Sequence, residues 1–568
     1  YEGNGVGQKA GQFQPITETY SVGNSAMFDG SDDKLTRTFD TGGDRKKWTI
    51  SLWFKRCGAM NNRQGLFSVS GSYFQVGPDS GFEEEIILYN GGGSGTLLSW
   101  LTKRRFSDPT QWVNLVWSFD SAQAAAADRT TLSVDGIALS ADDFQRLSDV
   151  SQDYEGSFNS NQLHQLATHS AVSTTPFNGY LAEICFIDSA VLGASSFGEV
   201  DSTTNRWVPK DVSGLTFGTT GFYLDMVDGN ALGDDESGNT NDWAMVNMDT
   251  TNKSNQFYDS PTRNFAILDP GRGTSTSTYS NGNLTQTSPG AATGAGTTPQ
   301  PFGLTSGKWY WEMRMDDGTN NERSMIMIQD DVILAANTWV RSRAGTYSGY
   351  RSYAGNAITS GDISSTTGES TSYGDTYTSG DVLSCAIDLD IGAIWWAKNG
   401  TWQASATEAE IEAGDTSNAA QSGLASGAWY PCVQNNDSWS TTVNFGQHIY
   451  YDSTALTLDT TAGGYFRYGV PDGFKAINVD ALKESDSFQS AFSWIKNRDA
   501  ADNHMLFDRV RGIYKDLHSN TTDVEVTNRD TLQRFLKQGA TIGEDVQVNT
   551  FNERYVYWDW FIETTGSG

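Results

Sequence analysis

What this 568-residue chain has little of narrows its function before any motif is read. Cysteine occurs four times, as Cys57, Cys185, Cys385 and Cys432, each inside an apparent strand. Their spacing fits neither a zinc site nor a C-x-x-C redox pair. Buried free thiols are the first reading, with Cys57–Cys185 or Cys385–Cys432 disulfides the alternative. The five histidines (His164, His169, His448, His504, His518) are scattered, and no H-E-x-x-H, G-x-S-x-G or P-loop accompanies them. Basic residues are outnumbered, 38 Lys and Arg against 69 Asp and Glu, for a net charge of −31. Such a surface repels a phosphate backbone, and no Lys/Arg patch interleaved with aromatics offsets it, so nucleic acid is not an expected partner. The acidity itself reads as a solubility device, suited to a salty medium that screens self-repulsion. No apolar run approaches the ~20 residues a spanning helix needs, so membrane insertion is not expected either.

Charged residues make up only 19%, while Gly (59), Ser, Thr and Asn abound and aromatics reach 12%. Few helix formers and many turn formers describe a many-turned all-β protein, and the length calls for three or four domains. The chain opens on Tyr1, with neither Met nor a signal-peptide pattern, which reads as a processed product or part of a longer chain.

The clearest stretch is Gly380 to Trp402, GDVLSCAIDLDIGAIWWAKNGTW. Residues 382–389 alternate as a half-buried strand, Asp390-Ile391-Gly392 turns the chain, and Ala393–Ala397 is a second β-rich run. Asn399-Gly400 then suits a type I′ hairpin. Adjacent Trp395 and Trp396 must point to opposite faces, so at most one is expected in the core. This hairpin resembles the centre of the SPRY (B30.2-like) β-sandwich, a fold that usually binds partners and rarely does chemistry. Ser306-Gly-Lys-Trp-Tyr-Trp-Glu312, Trp429-Tyr-Pro-Cys432 and Val443-Asn-Phe-Gly446 resemble other strands of that family.

Upstream, Ala26–Gly30, Trp48–Lys55, Trp112–Phe119, Thr131–Leu139 and Gly179–Asp188 read as strands, with a hairpin on Asp135-Gly136. Their order resembles a laminin-G/concanavalin-like jelly roll. Downstream, Ala491–Lys496 and Arg554–Phe561 (RYVYWDWF) read as strands, and Arg529–Lys537 as a short helix. "W-I-K-N-R-D-A-A-D-N-H … F-D-R-V-R-G … Y-V-Y-W-D-W" resembles a β-rich module of tail-fibre-like proteins of marine and cyanobacterial tailed phages. The expected fold is therefore all-β tandem sandwiches: an N-terminal arm (1–22), a jelly roll (23–195), a connector with an Asp/Asn-rich loop (196–270), a SPRY-like sandwich (271–477) and a C-terminal fibre module (478–568), the last incomplete.

Concanavalin-like folds include glucanases, whose paired carboxylates sit on one strand face as Glu-x-Asp-x-x-Glu. Glu199-Val-Asp201 and Glu484-Ser-Asp486 lack the third acid, so no catalytic residues are assigned and an enzyme is not expected. Within Asp228–Asp242, the oxygens of Asp228, Asn230, Asp234, Asp235, Asn239 and Asp242 form a set that suits Ca²⁺. The alternative is an Asx-turn loop without metal. Tyr347, Tyr350, Tyr353, Tyr373 and Tyr377, in a Tyr/Ser/Thr/Gly-rich insertion, read equally as an adaptable binding surface or a subunit contact. Trp402 and Trp439 join them as candidate sugar-stacking residues. Arg509 and Arg511 beside Asp508 read as a structural ion pair.

The resemblance implies a non-enzymatic virion appendage, extracellular and homotrimeric, binding host-surface polysaccharide through sandwich loops. The alternatives are a purely structural virion protein (collar, whisker or head decoration) that contacts other virion proteins, and a secreted bacterial adhesin.

Overall fold

A computed structural model describes residues 20–563 except 59–62, 78–84, 94, 107, 170–174, 202–205, 252, 271–276, 289–295, 300–302, 318–324, 331–346, 352–356, 360–368, 371–372, 425, 436–438, 452–453, 479–487, 536–539, 544 and 551–552. Antiparallel strands dominate these residues, and none of their helices is long and apolar enough to cross a membrane. The chain forms two compact units: Ile16–Asn264 with Ser485–Gly568, and Phe265–Glu484.

The first unit is built on two eight-stranded sheets. One runs Ile137–Ala138, Thr130–Val134, Val113–Asp120, Lys47–Arg56, Asn178–Asp188, Ser25–Asp29, Gln256–Phe257, with Phe222–Leu224 also on Asn178–Asp188. The other runs Phe144–Ser148, Leu98–Arg105, Glu85–Asn90, Ser72–Val76, Gln64–Val69, Leu163–Leu166, Lys34–Thr38, Ala244–Val246. Strand alternation puts Trp48, Ile50, Leu52 and Phe54 on one face of their strand, and all four are buried in the core shared with Phe67, Trp117 and Phe186. Trp48 meets Trp117 edge-on at 4.8 Å and stacks on Phe119 at 5.1 Å.

The expected connector is part of this sandwich. Phe222–Leu224, Ala244–Val246 and Gln256–Phe257 add strands to both sheets, and Met226, Leu232, Trp243 and Met248 fill its core. Residues further on close the opposite face, where Lys55 is fully buried. Its Nζ lies 2.7 Å from Asp259 Oδ2 and 2.7 Å from Asn264 Oδ1, and Trp112 Nε1 donates to Asp259 Oδ1 at 2.8 Å. A buried lysine is tolerable only with its charge matched and its protons taken up in this way. The expected arm ends in the same packing: Val22 is buried and its N–H donates to Thr262 Oγ1 at 3.0 Å. Residues 1–19 lie outside the described residues.

The C-terminal part of this unit is a five-stranded sheet, ordered Val526–Thr527, Lys515–His518, Met505–Asp508, Phe488–Asn497, Tyr555–Glu563, with its own core of Ile495, Met505, Phe507, Leu532, Phe535, Val548 and Tyr555. Leu532–Phe535 is a strand paired with Ala540–Ile542, not the expected helix. Its Leu532 and Phe535 go into that core, so packing decides the conformation over helix propensity.

The second unit pairs a seven-stranded sheet, centred on Lys308–Asp317 and Val382–Asp388, with a six-stranded one centred on Trp429–Asn435 and Met325–Asp330. Asn399 and Gly400 have φ of 49° and 78°, as a type I′ turn requires. Trp395 and Trp396 are both fully buried, against the expectation of one. The sheet is covered on both faces: Trp396 lies edge-on to Trp311 at 6.3 Å, while the register places Trp395 on the face of Tyr310, which packs on Phe466 at 4.9 Å. All four cysteines are buried thiols, none of them in a disulfide.

Candidate functional site

The residues expected to bind a ligand are mostly spent on structure. Tyr350, Tyr373 and Tyr377 are buried, with Tyr350 ring centroids 5.8 Å from Tyr373 and 5.4 Å from Tyr377. Their hydroxyls are used: Tyr377 donates to the Tyr350 carbonyl at 2.9 Å, Tyr350 donates to the Asp375 carbonyl, and Tyr373 accepts from Trp396 N–H at 3.1 Å. This tyrosine knot pins the 373–377 segment to the sandwich, so these three do not form an adaptable surface. Trp439 is buried as well, and Trp402 is half-buried at the end of the Thr401–Trp402 strand. Tyr353 and the side chain of Tyr347 lie outside the described residues.

The side chains of the Asp/Asn-rich loop are hydrogen-bonded within the loop and to residues 218–223. Asp235 accepts from the N–H groups of Tyr223 (2.9 Å), Ser237 (2.9 Å) and Asn241 (2.7 Å) and from Ser237 Oγ (2.9 Å). Asp228 accepts from Asn230 N–H, Asp242 accepts from Asp235 N–H, and Asn239 donates to the carbonyls of Gly218 and Gly221. Asp234 is exposed, and its carboxyl is raised by partial burial and by the charges of Asp242, Asp228 and Asp225. These are Asx-turn uses of the side chains. Among the described residues, the group that brings three carboxylates within 4.8 Å is instead Asp29, Asp32 and Asp33.

The surface with the chemistry of a binding site lies in the C-terminal sheet. Phe488–Asn497 pairs antiparallel with Tyr555–Glu563, setting Phe492 opposite Trp560, Ser493 opposite Asp559, Trp494 opposite Trp558 and Ile495 opposite Tyr557. Alternation divides these pairs between two faces. The inner one carries Ile495 into the core and ties Asp559 to hydroxyls of Ser490 (2.6 Å), Ser493 (3.2 Å) and Tyr557 (3.0 Å). Burial raises the Asp559 carboxyl, and those donors act against the rise.

The outer face carries an aromatic ladder. Phe492–Trp560 and Trp494–Trp558 are each 5.1 Å apart, and Trp494 stacks on Trp560 at 6.5 Å with planes 19° apart. Trp494 Nε1 donates to His504 Nδ1 at 2.9 Å, fixing the central indole. Leu506, opposite Trp494, and Leu517, opposite Leu506, extend the apolar row across the next strands. Trp558 and Trp560 are 42% and 49% exposed. With ~250 Å² for a large aromatic, each leaves about 100 Å² of ring in water, roughly 2–3 kcal/mol of unrealised burial. Flat, partly wet indoles of this kind stack on the C–H face of a sugar ring or bury against protein. The alternation of RYVYWDWF is visible in the sequence; that its indole face lies uncovered is not.

Residues 308–448 match the SPRY domain, and residues 463–568 match a domain of unknown function, DUF7483. No curated protein matches the chain. Among solved structures, the SPRY domain of human HERC1 is similar at 22% identity, covering 31% of this chain and 96% of its own, with a TM-score of 0.24. The TRIM65 PSpry domain gives 11% identity, 32% and 89% coverage and a TM-score of 0.23. A native heptameric SAP-like pentraxin from Limulus polyphemus gives 10% identity, 31% and 80% coverage and a TM-score of 0.23. The second unit carries the match to the SPRY domain, within an all-β chain of multiple sandwich-like sheets.

Proposed function

We propose that this chain is a non-enzymatic appendage protein of a tailed-phage virion, a tail fibre component that binds host-surface glycan. The observation that carries the binding role is the ladder of Phe492, Trp494, Trp558 and Trp560, with Trp558 and Trp560 about half exposed, on a sheet whose other face is a packed core. It moves the expected glycan contact from the sandwich loops to the C-terminal sheet. Tandem rigid sandwiches and a SPRY domain suit a spacer and interaction scaffold, and a weak single site gains avidity when several copies, a homotrimer in this reading, engage one surface.

The second reading, a structural virion protein, is favoured by aliphatics in the same module: Val510 is 97% exposed, Val524 84% and Val546 61%. In that case the ladder is covered by another virion chain. The test is binding of the purified chain to whole host cells before and after polysaccharide is stripped, with Trp558→Ala alongside. Saturable binding lost on stripping and in the variant supports the adhesin. Absence of binding to any host, with ladder fluorescence already shielded in the assembled virion, supports the structural part.

A further inference from the structure

The indole ladder ends on an imidazole. Trp558 and Trp494 face each other on neighbouring strands, and Trp494 is in turn opposite Leu506. His504, two residues before Leu506, falls on the same side of the sheet. The Trp494 and His504 rings are 5.4 Å apart with planes 57° to one another. The backbone under His504 is pinned: its N–H donates to Asn520 Oδ1 at 2.9 Å, and Asn520 Nδ2 donates to Asn503 Oδ1 at 2.9 Å.

The contact between the rings fixes the tautomer. An indole N–H can only donate, so in the 2.9 Å bond from Trp494 Nε1 to His504 Nδ1 the imidazole accepts. The proton of the neutral ring is then on Nε2. His504 is half-buried, and its Nε2 takes no partner among the described residues and is not sealed from water. The row of rings Trp558, Trp494, His504 therefore finishes in one oriented N–H donor.

The charges around the ladder do not favour an anion. Lys496 Nζ donates to the carbonyls of Asn497 (2.6 Å) and Ala500 (3.1 Å), Arg511 pairs with Asp508, and Lys515 lies 3.3 Å from Glu525. The chain as a whole carries −31, which repels an acidic polymer.

We propose that the ladder takes a neutral pyranose unit, stacked by its C–H face on Trp494 and Trp558, with His504 Nε2–H donating to an oxygen at its edge. Indoles alone accept any sugar with a flat C–H face; the fixed donor selects those that place a hydroxyl or ring oxygen beside the stacked ring. This deepens the glycan-binding reading and rests on it.

The test uses polysaccharide stripped from host cells and divided by anion exchange into neutral and acidic fractions, each titrated against the full chain by calorimetry. The neutral fraction is expected to bind at least about tenfold tighter than the acidic one. His504→Asn keeps an oxygen where Nδ1 accepts from Trp494 but has nothing at the Nε2 position. It should lose the neutral fraction by about three- to tenfold, the worth of one neutral hydrogen bond, while indole emission and unfolding temperature stay as they were. His504→Gln, whose amide nitrogen reaches the Nε2 position, should recover most of that loss. Tighter binding of the acidic fraction, a folded His504→Asn that binds as before, or His504→Gln no better than His504→Asn overturns the proposal. Neither fraction binding removes the glycan reading itself, whereas neutral polysaccharide bound equally by all three chains removes His504 alone.

Discussion

Trp494 and Trp558 face each other across an antiparallel pair, 5.1 Å apart, with Trp558 still 42% exposed. A cross-strand indole pair normally stabilises its sheet, yet here half of one ring meets water. Trp558→Ala with Trp560→Ala should therefore weaken polysaccharide binding by about tenfold or more while unfolding shifts little, because neither ring is in the core. Affinity on immobilised host polysaccharide and thermal unfolding of the same samples check this. Unchanged affinity would return the ladder to a structural role.

Glu183 predicts a pH dependence of the first unit. Burial pushes its carboxyl up to about 7, opposed by hydrogen bonds from Tyr223 (2.9 Å) and Tyr20 (3.0 Å). The folded state thus holds a proton that the unfolded chain releases near its ordinary carboxyl value of 4.5. Its contribution is complete below that value and is lost as pH rises through about 7. Glu183→Gln should be the more stable protein at pH ~8, by about 1–3 kcal/mol, and lose that margin near pH ~4.5. Denaturant unfolding at the two pH values reads it; a margin that does not change with pH refutes it.

His448, in the second unit, acts with the opposite sign. Burial holds its imidazole down at about 3, so its contribution is present above the ordinary 6.5 and fades as pH falls toward 3. His448→Gln is expected to flatten the acid limb of unfolding in that unit. A limb that keeps its slope would assign the acid sensitivity elsewhere.

The tyrosine knot gives a separation of structure from binding. Tyr377→Phe removes the 2.9 Å bond to the Tyr350 carbonyl and should cost about 1 kcal/mol in the second unit. Polysaccharide affinity should not move. A binding loss in a variant of unchanged stability would restore these tyrosines to a ligand surface.

Asp235 tests the loop read from sequence as a Ca²⁺ site. It closes the turn with four hydrogen bonds, so Asp235→Ala should lower stability by about 2–3 kcal/mol. Adding Ca²⁺ or a chelator should leave the unfolding temperature of the unaltered chain where it was. A rise with Ca²⁺ that disappears in Asp235→Ala would make the loop a metal site.

Strand positions were legible because period-2 alternation and Asn-Gly or Asp-Gly turns are local signals. The hairpin at Asn399-Gly400 is one case and the Trp48–Phe54 face another. What sequence does not carry is the cover on each face. Trp395 beside Trp396 implies one outward indole until a second layer buries both. Tyr350 and Tyr377 carry the composition of a binding loop, but their hydroxyls find backbone partners and turn inward. RYVYWDWF has the same alternation as a core strand, and only the exposure of Trp558 and Trp560 makes it a surface. The Asp-rich loop shows the same limit: oxygen count suggests an ion, while backbone N–H groups hold the oxygens of Asp228, Asp235 and Asp242.

The contact between Arg534 and the Asp135 carbonyl closes a separation of 399 positions. Within the second unit, the two ends meet: Phe265 bridges Asn478, and Ala266 N–H donates to the Ile477 carbonyl at 3.0 Å. Once that unit has folded, the loop joining the two halves of the first is short in effect, and its closure entropy falls accordingly. Refolding followed separately in each unit should show the second leading, and a first unit that completes ahead of it would contradict this. On the ribosome, the sandwich made first has all its own strands, and the inserted domain is the clasp that shortens the search of the sheet made last.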